Sequence, residues 1–149
     1  MKKRQHRGFT LIEMMMTVAI MGIIATIAAP SFVEMIRNNR VTSATNEVLL
    51  SLQLARAEAI KQRRTLTVCS GASACTNSAD WSGGWIVSNS DGVIRVWDAR
   101  ANLSITGPAG GVIFSADGRG GAAETVTISS DSVSRTIDIT PTGRASVRH

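Results

Sequence analysis

Gly8-Phe9-Thr10-Leu11-Ile12-Glu13 opens a run of 21 residues, 9–29, that carries a single charge, Glu13. Lys2, Lys3, Arg4 and Arg7 stand before it. As a helix rising 1.5 Å per residue the run spans roughly 31 Å, close to the hydrocarbon thickness of a bilayer. The basic cluster orients it, with the N-terminus in the cytoplasm and the remainder of the chain outside. Glu13 is the residue that does not fit. A carboxylate in an apolar run is expensive unless it finds a partner, so its presence marks a function.

Two readings compete for this segment. One is an ordinary secretory signal, with a basic n-region, an apolar h-region and Ala28-Ala29 for cleavage. The internal Glu and the length of the run speak against it. The other rests on resemblance: Gly8-Phe9-Thr10-Leu11-Ile12-Glu13 resembles the class III signal of type IV pilins and of the pseudopilins of type II secretion. That resemblance implies that a prepilin peptidase cuts between Gly8 and Phe9 and methylates the new N-terminal Phe9. Glu13 then becomes the fifth residue, where the family carries its Glu, and Pro30 the twenty-second, where pilins commonly have a Pro. Glu13 either pairs with the Phe9 amine of a neighbouring subunit, so that a misregistered subunit leaves both charges unpaired, or reaches the cytoplasmic headgroups from one turn inside Phe9.

Beyond leader and anchor about 120 residues remain, enough for one domain with a modest core. The formal charge of +5 is misleading, since removing the four leader cations leaves +1. Any nucleic-acid patch therefore has to be local. The only cysteines are Cys69 and Cys75, which read as one extracytoplasmic disulfide. They lack the further ligands that a metal needs and the Cys-x-x-Cys spacing of a redox pair. His6 and His149 are the only histidines, one in the leader and one at the last position. No nucleophile–His arrangement can be built from them in a folded core, so neither catalysis nor a metal or cofactor is expected. Asp80, Asp91, Asp98, Asp117 and Asp131 sit mostly beside Gly or Ser, where Asp is favoured in turns.

Val41, Ala44, Val48, Leu52, Ala55 and Ala59 recur at spacings of three and four, widened by Leu49 and Ile60, with polar residues between. This predicts one long helix over 9–64, kinked near Pro30, whose second half buries one face. The basic run 61–64 suits a helix C-terminus or an acidic partner. After Arg64 the period becomes two. Strands are expected at 65–68, 85–87, 93–97, 112–115, 125–129, 134–140 and 144–148. A hairpin turn is expected at Asn89-Ser90-Asp91-Gly92, and Gly- and Pro-rich loops lie elsewhere. The fold class is α+β: a long helix packed on antiparallel sheet. The segments are a leader over 1–8, a transmembrane half-helix over 9–30, an amphipathic half over 31–64 and a β-rich head over 65–149.

Cys69…Cys75 followed by Asp80-Trp81-Ser82-Gly83-Gly84-Trp85, and the later Thr142-Gly143-Arg144, resemble the GspH/FimT family of minor pilins and pseudopilins. The resemblance implies a type IV pilin-like fold and assembly with other pilins in a filament. It also implies a single-pass inner-membrane precursor with a periplasmic head. Trp81 and Trp85 are expected in the core rather than on a binding surface. One branch of the family binds DNA through a C-terminal Gly-Arg-x-Arg. Here Arg144 and Arg148 share a strand face roughly 13 Å apart, which makes double-stranded DNA, for uptake in transformation, the alternative partner. The competing reading of the two arginines is an edge strand kept soluble by charge.

Overall fold

The computed structural model describes residues 9–148 of the chain, so Gly8 and the rest of the expected leader, 1–8, lie outside the described residues. Helix α1 runs Leu11–Gln62, and eight strands follow: β1 (Leu66–Ser70), β2 (Gly84–Asn89), β3 (Gly92–Asp98), β4 (Ser104–Thr106), β5 (Val112–Phe114), β6 (Glu124–Ser130), β7 (Val133–Ile139) and β8 (Ala145–Arg148). The chain divides into two units, one up to Ile36 and one from Arg37 onward.

In the first unit every side chain over residues 9–27 is exposed, and α1 contains a stretch of mean hydropathy 2.1, long and apolar enough to cross a membrane. Its hydroxyls are satisfied internally. Thr17 Oγ1 donates to the Met14 carbonyl at 2.8 Å and Thr26 Oγ1 to that of Ile23 at 2.7 Å. Such back-bonding suits a helix surrounded by lipid, where no water is available.

In the second unit the helical stripe is buried as its period requires. Val41, Ala44, Val48, Leu52, Ala55 and Ala59 are all at most 2% exposed and join the strands in one hydrophobic cluster. Leu49 packs at the margin of that cluster, while Ile60 stays half-exposed. The helix ends in a Schellman motif: the Arg64 N–H reaches the Ala59 carbonyl at 3.2 Å and the Arg63 N–H that of Ile60 at 3.3 Å. Arg63 takes the left-handed position at φ 52° that a glycine would normally fill, which is why no breaker marks the end in sequence.

The strands form two antiparallel four-stranded sheets, β3-β2-β1-β5 and β4-β6-β7-β8. Alternation sends Leu66, Val68, Trp85, Val87, Val112 and Phe114 of the first sheet, and Ile105, Val126, Ile128, Ile137 and Ile139 of the second, into the core. The expected hairpin is present, with Asn89 opposite Gly92 and the Asn89 Oδ1 accepting the Asp91 N–H at 2.9 Å. β4 was not expected: with three residues and one buried position, Ile105, it shows no period to read.

The Asp80–Trp81–Ser82 segment joins the two sheets. Asp80 bridges Thr106, the Trp81 N–H donates to the Ile105 carbonyl at 2.8 Å, and the Ile105 N–H returns to Ser82 Oγ at 3.0 Å. Trp81 is fully buried beneath Gly107, where a Cβ would come within 2.6 Å of the indole.

Candidate assembly site

The start of α1 is closed by a reciprocal cap. Thr10 Oγ1 accepts the Glu13 N–H at 3.3 Å, Glu13 Oε2 accepts the Thr10 N–H at 3.4 Å, and the Met14 N–H reaches the Thr10 carbonyl at 3.2 Å. This is a capping box with Thr10 at N-cap and Glu13 at N3. It folds the carboxylate back to the positive end of the helix, beside the peptide that follows Phe9. Phe9 itself is 78% exposed. The Thr-x-x-Glu spacing is legible in the sequence, but an account of Glu13 framed only by membrane cost or by a neighbouring subunit passes over it. The charge is thus partly compensated within its own chain, with its carboxylate held at the peptide N–H one residue after Phe9.

Cys69 and Cys75 are joined by a disulfide, with Cα atoms 5.5 Å apart. Cys69 pairs with Ile86 on the face of the first sheet opposite the core. Cys75 Sγ lies 3.6 Å from Ser88 Oγ, so the bridge spans β1 and β2 on that outer face. The loop is pinned by the Thr76 N–H to the Ser70 carbonyl at 2.9 Å and by the Ser70–Thr76 hydroxyl pair at 2.7 Å. Trp85 is fully buried; its Nε1 donates to Ser51 Oγ of α1 at 3.0 Å, and its ring stacks on Trp97 at 6.0 Å and 6°.

The two C-terminal arginines lie in different local settings. β8 begins at Ala145, so Arg144 lies in the turn before it, where its N–H and carbonyl both bond Thr140. Arg148 makes a bidentate ion pair with Asp138, 2.8 Å in each arm. Ala145 and Val147 face the core as the alternation requires. Arg144 lines an open cleft of about 480 Å³ with Gln53, Arg56 and Ile60. The turn holding it needs glycine: Gly143 has φ +77°, and a Cβ there would collide with the Gly118 carbonyl. Arg56 ties the same loops to the helix, donating to the carbonyls of Gly118 at 3.0 Å and Thr142 at 3.3 Å. Gly143 of the Gly-Arg pair thus has a packing reason independent of any ligand. No cluster of metal-ligating side chains occurs among the described residues.

Comparison with known proteins agrees with this geometry. The family model described as type II transport protein GspH matches residues 44–143, and the prokaryotic N-terminal methylation motif matches residues 3–29. A fimbrial protein of Pseudomonas aeruginosa is 47% identical over 45 residues, 30% of this chain and 29% of that protein. Fimbrial protein EcpC of Eikenella corrodens is 41% identical over 46 residues, 31% of this chain and 30% of that protein. The chain therefore spans under a third of the length of the curated relatives it matches. The crystal structure of the type IV minor pilin FimU of P. aeruginosa superposes with a TM-score of 0.62 at 25% identity, over 74% of this chain and 90% of that one.

Proposed function

This chain belongs to the GspH family of minor pilins and pseudopilins, and from that premise we propose that it is a structural subunit that primes or joins a type IV pilus or a type II secretion pseudopilus. It is made as an inner-membrane precursor with a periplasmic head. Prepilin peptidase cuts it between Gly8 and Phe9 and methylates Phe9. The observation that carries this reading is the Thr10–Glu13 cap at the head of an exposed apolar helix. It keeps the one carboxylate of that stretch at the end where cleavage creates an amine.

Removal of the leader leaves Glu13 and the amine of Phe9 as opposite charges in a low-dielectric setting. In a stack of subunits the amine of one chain satisfies Glu13 of the next, and each relieves the other's desolvation. A subunit out of register leaves both buried and unpaired, which is penalised far more than a correct pair is rewarded. Glu13 thus selects register. Glu13→Ala should insert in the membrane at least as well as the parent, and its share in sheared filaments should fall by about tenfold or more, a tenfold fall corresponding to roughly 1.4 kcal/mol of lost assembly free energy. Parental incorporation of the variant would remove the pairing role.

A further inference from the structure

The two sheets have four edge strands, and three of them are closed or short. β5 is covered by its own loop, through the Phe114–Gly120 bridge and the Gly121 N–H to the Ile113 carbonyl at 3.2 Å. β4 is covered by Asp80 and Trp81. β8 has four residues and ends in the Arg148–Asp138 ion pair. β3 is different. It has seven residues, pairs only with β2, and among the described residues no backbone hydrogen bond reaches its other side.

Its side chains are equally open. Val93 and Ile94 are 38% exposed and Val96 44%. Natural edges are usually blunted by charge, proline or brevity. Here the blunting is slight: a bulge opposite Val87/Ser88, and one mid-strand cation, Arg95, whose guanidinium lies 5.1 Å over the Trp97 ring. Trp97 in turn stacks on the buried Trp85, so the edge is held in extended form by the core beneath it. A rigid edge loses little entropy on pairing.

We propose that β3 is the docking edge for an extended strand of a different pilin-like subunit, an apolar strand with a carboxylate facing Arg95. This rests on the filament reading given above and names its partner. The free N–H and C=O groups of β3 are matched by another extended main chain, and alternate side chains supply specificity. A second copy of this chain does not fit. Antiparallel pairing of β3 with β3 is two-fold, and the two-fold reverses the part of α1 from Val41 to Ala59, which packs with the strands of both sheets in one core. Subunits of one filament enter it from one membrane with α1 running the same way. This chain's other edges, being closed or short, offer β3 no long free strand. A subunit with one long open edge therefore recruits a different neighbour and does not polymerise on itself through its sheet, which suits a minor component.

The test uses the full chain in the cell that makes it. Ile94→Lys with Val96→Lys charges the edge without touching the core; Ile113→Lys, on β5 and 42% exposed, is the control. The double variant should be reduced at least tenfold in the sheared filament fraction, while the control matches the parent and all three reach the membrane at equal levels. A photo-cross-linking benzoylphenylalanine at position 94 should give a product with a pilin-like subunit carrying its own N-terminal methylation motif. Undiminished incorporation of the double variant, equal loss in the control, or a cross-linked homodimer would overturn the proposal. A parent chain absent from the filament fraction would instead contradict the filament reading itself.

Discussion

Ser51 is a polar residue in the middle of an apolar helical stripe, fully buried, and its hydroxyl is the acceptor for Trp85 Nε1. Ser51→Ala leaves the indole N–H without a partner, which should lower stability by about 1–3 kcal/mol, read as a fall in midpoint in thermal melts of the detergent-solubilised chain. Two carboxylates respond to pH in opposite senses. The Ser82 hydroxyl and then its backbone N–H hold the Asp80 carboxyl below the ordinary carboxylate range. Asp80 therefore contributes stability above that range, and the contribution is lost as pH falls through its lowered pKa. Burial pushes the Glu124 carboxyl up. Its contribution is complete below the ordinary carboxylate pKa and is lost as pH rises through the raised one. Glu124→Gln should therefore melt higher than the parent at pH 7 and at the same temperature at pH 3. The sequence reads such residues unevenly. The periodicity that finds Val48 and Leu52 marks Ser51 only as a polar interruption, because its acceptor role depends on an indole 34 residues away. Arg148 likewise reads as a free cation until β7 brings Asp138 beside it.

At the scale of elements, the helix and most strands were legible because each repeats its own period against one core. The bounds of α1 differ from the expected 9–64 by two residues at each end, for local reasons: Thr10 is its N-cap and Arg63 its left-handed C′ residue. β4 and the clamp around Asp80–Trp81 were not legible, since they exist only where two distant segments meet. The Trp81…Trp85 run could be recognised as a motif, but its work of fastening one sheet to the other and to α1 appears only in three dimensions. The disulfide closes a six-residue separation on the outer face of β1 and β2. Replacing both cysteines with serine should cost about 2–3 kcal/mol and expose the loop around residues 70–76 to protease, while leaving the α1 stripe and the main core intact. Unchanged stability on replacement or on reduction would show that the loop's hydrogen bonds hold it without the bond.

For the whole molecule, one chain carries a methylation motif over 3–29 and a GspH head over 44–143. The head has a closed core, three sheet edges covered or short, and one long open edge. Lys2, Lys3, Arg4 and Arg7 all precede Phe9, and without them the formal charge of +5 falls to +1. Arg144 sits in the turn before β8, and the exposed Arg148 at the end of that strand pairs with Asp138. The pilin reading rests on the methylation motif, the GspH match and the likeness to a type IV minor pilin. Its most direct test is the intact mass and N-terminal sequence of the native protein extracted from its membrane. The account predicts a chain that begins at methylated Phe9, with Cys69 and Cys75 joined. A chain that still begins at Met1, or one that begins at Pro30 after signal-peptide cleavage, would contradict it.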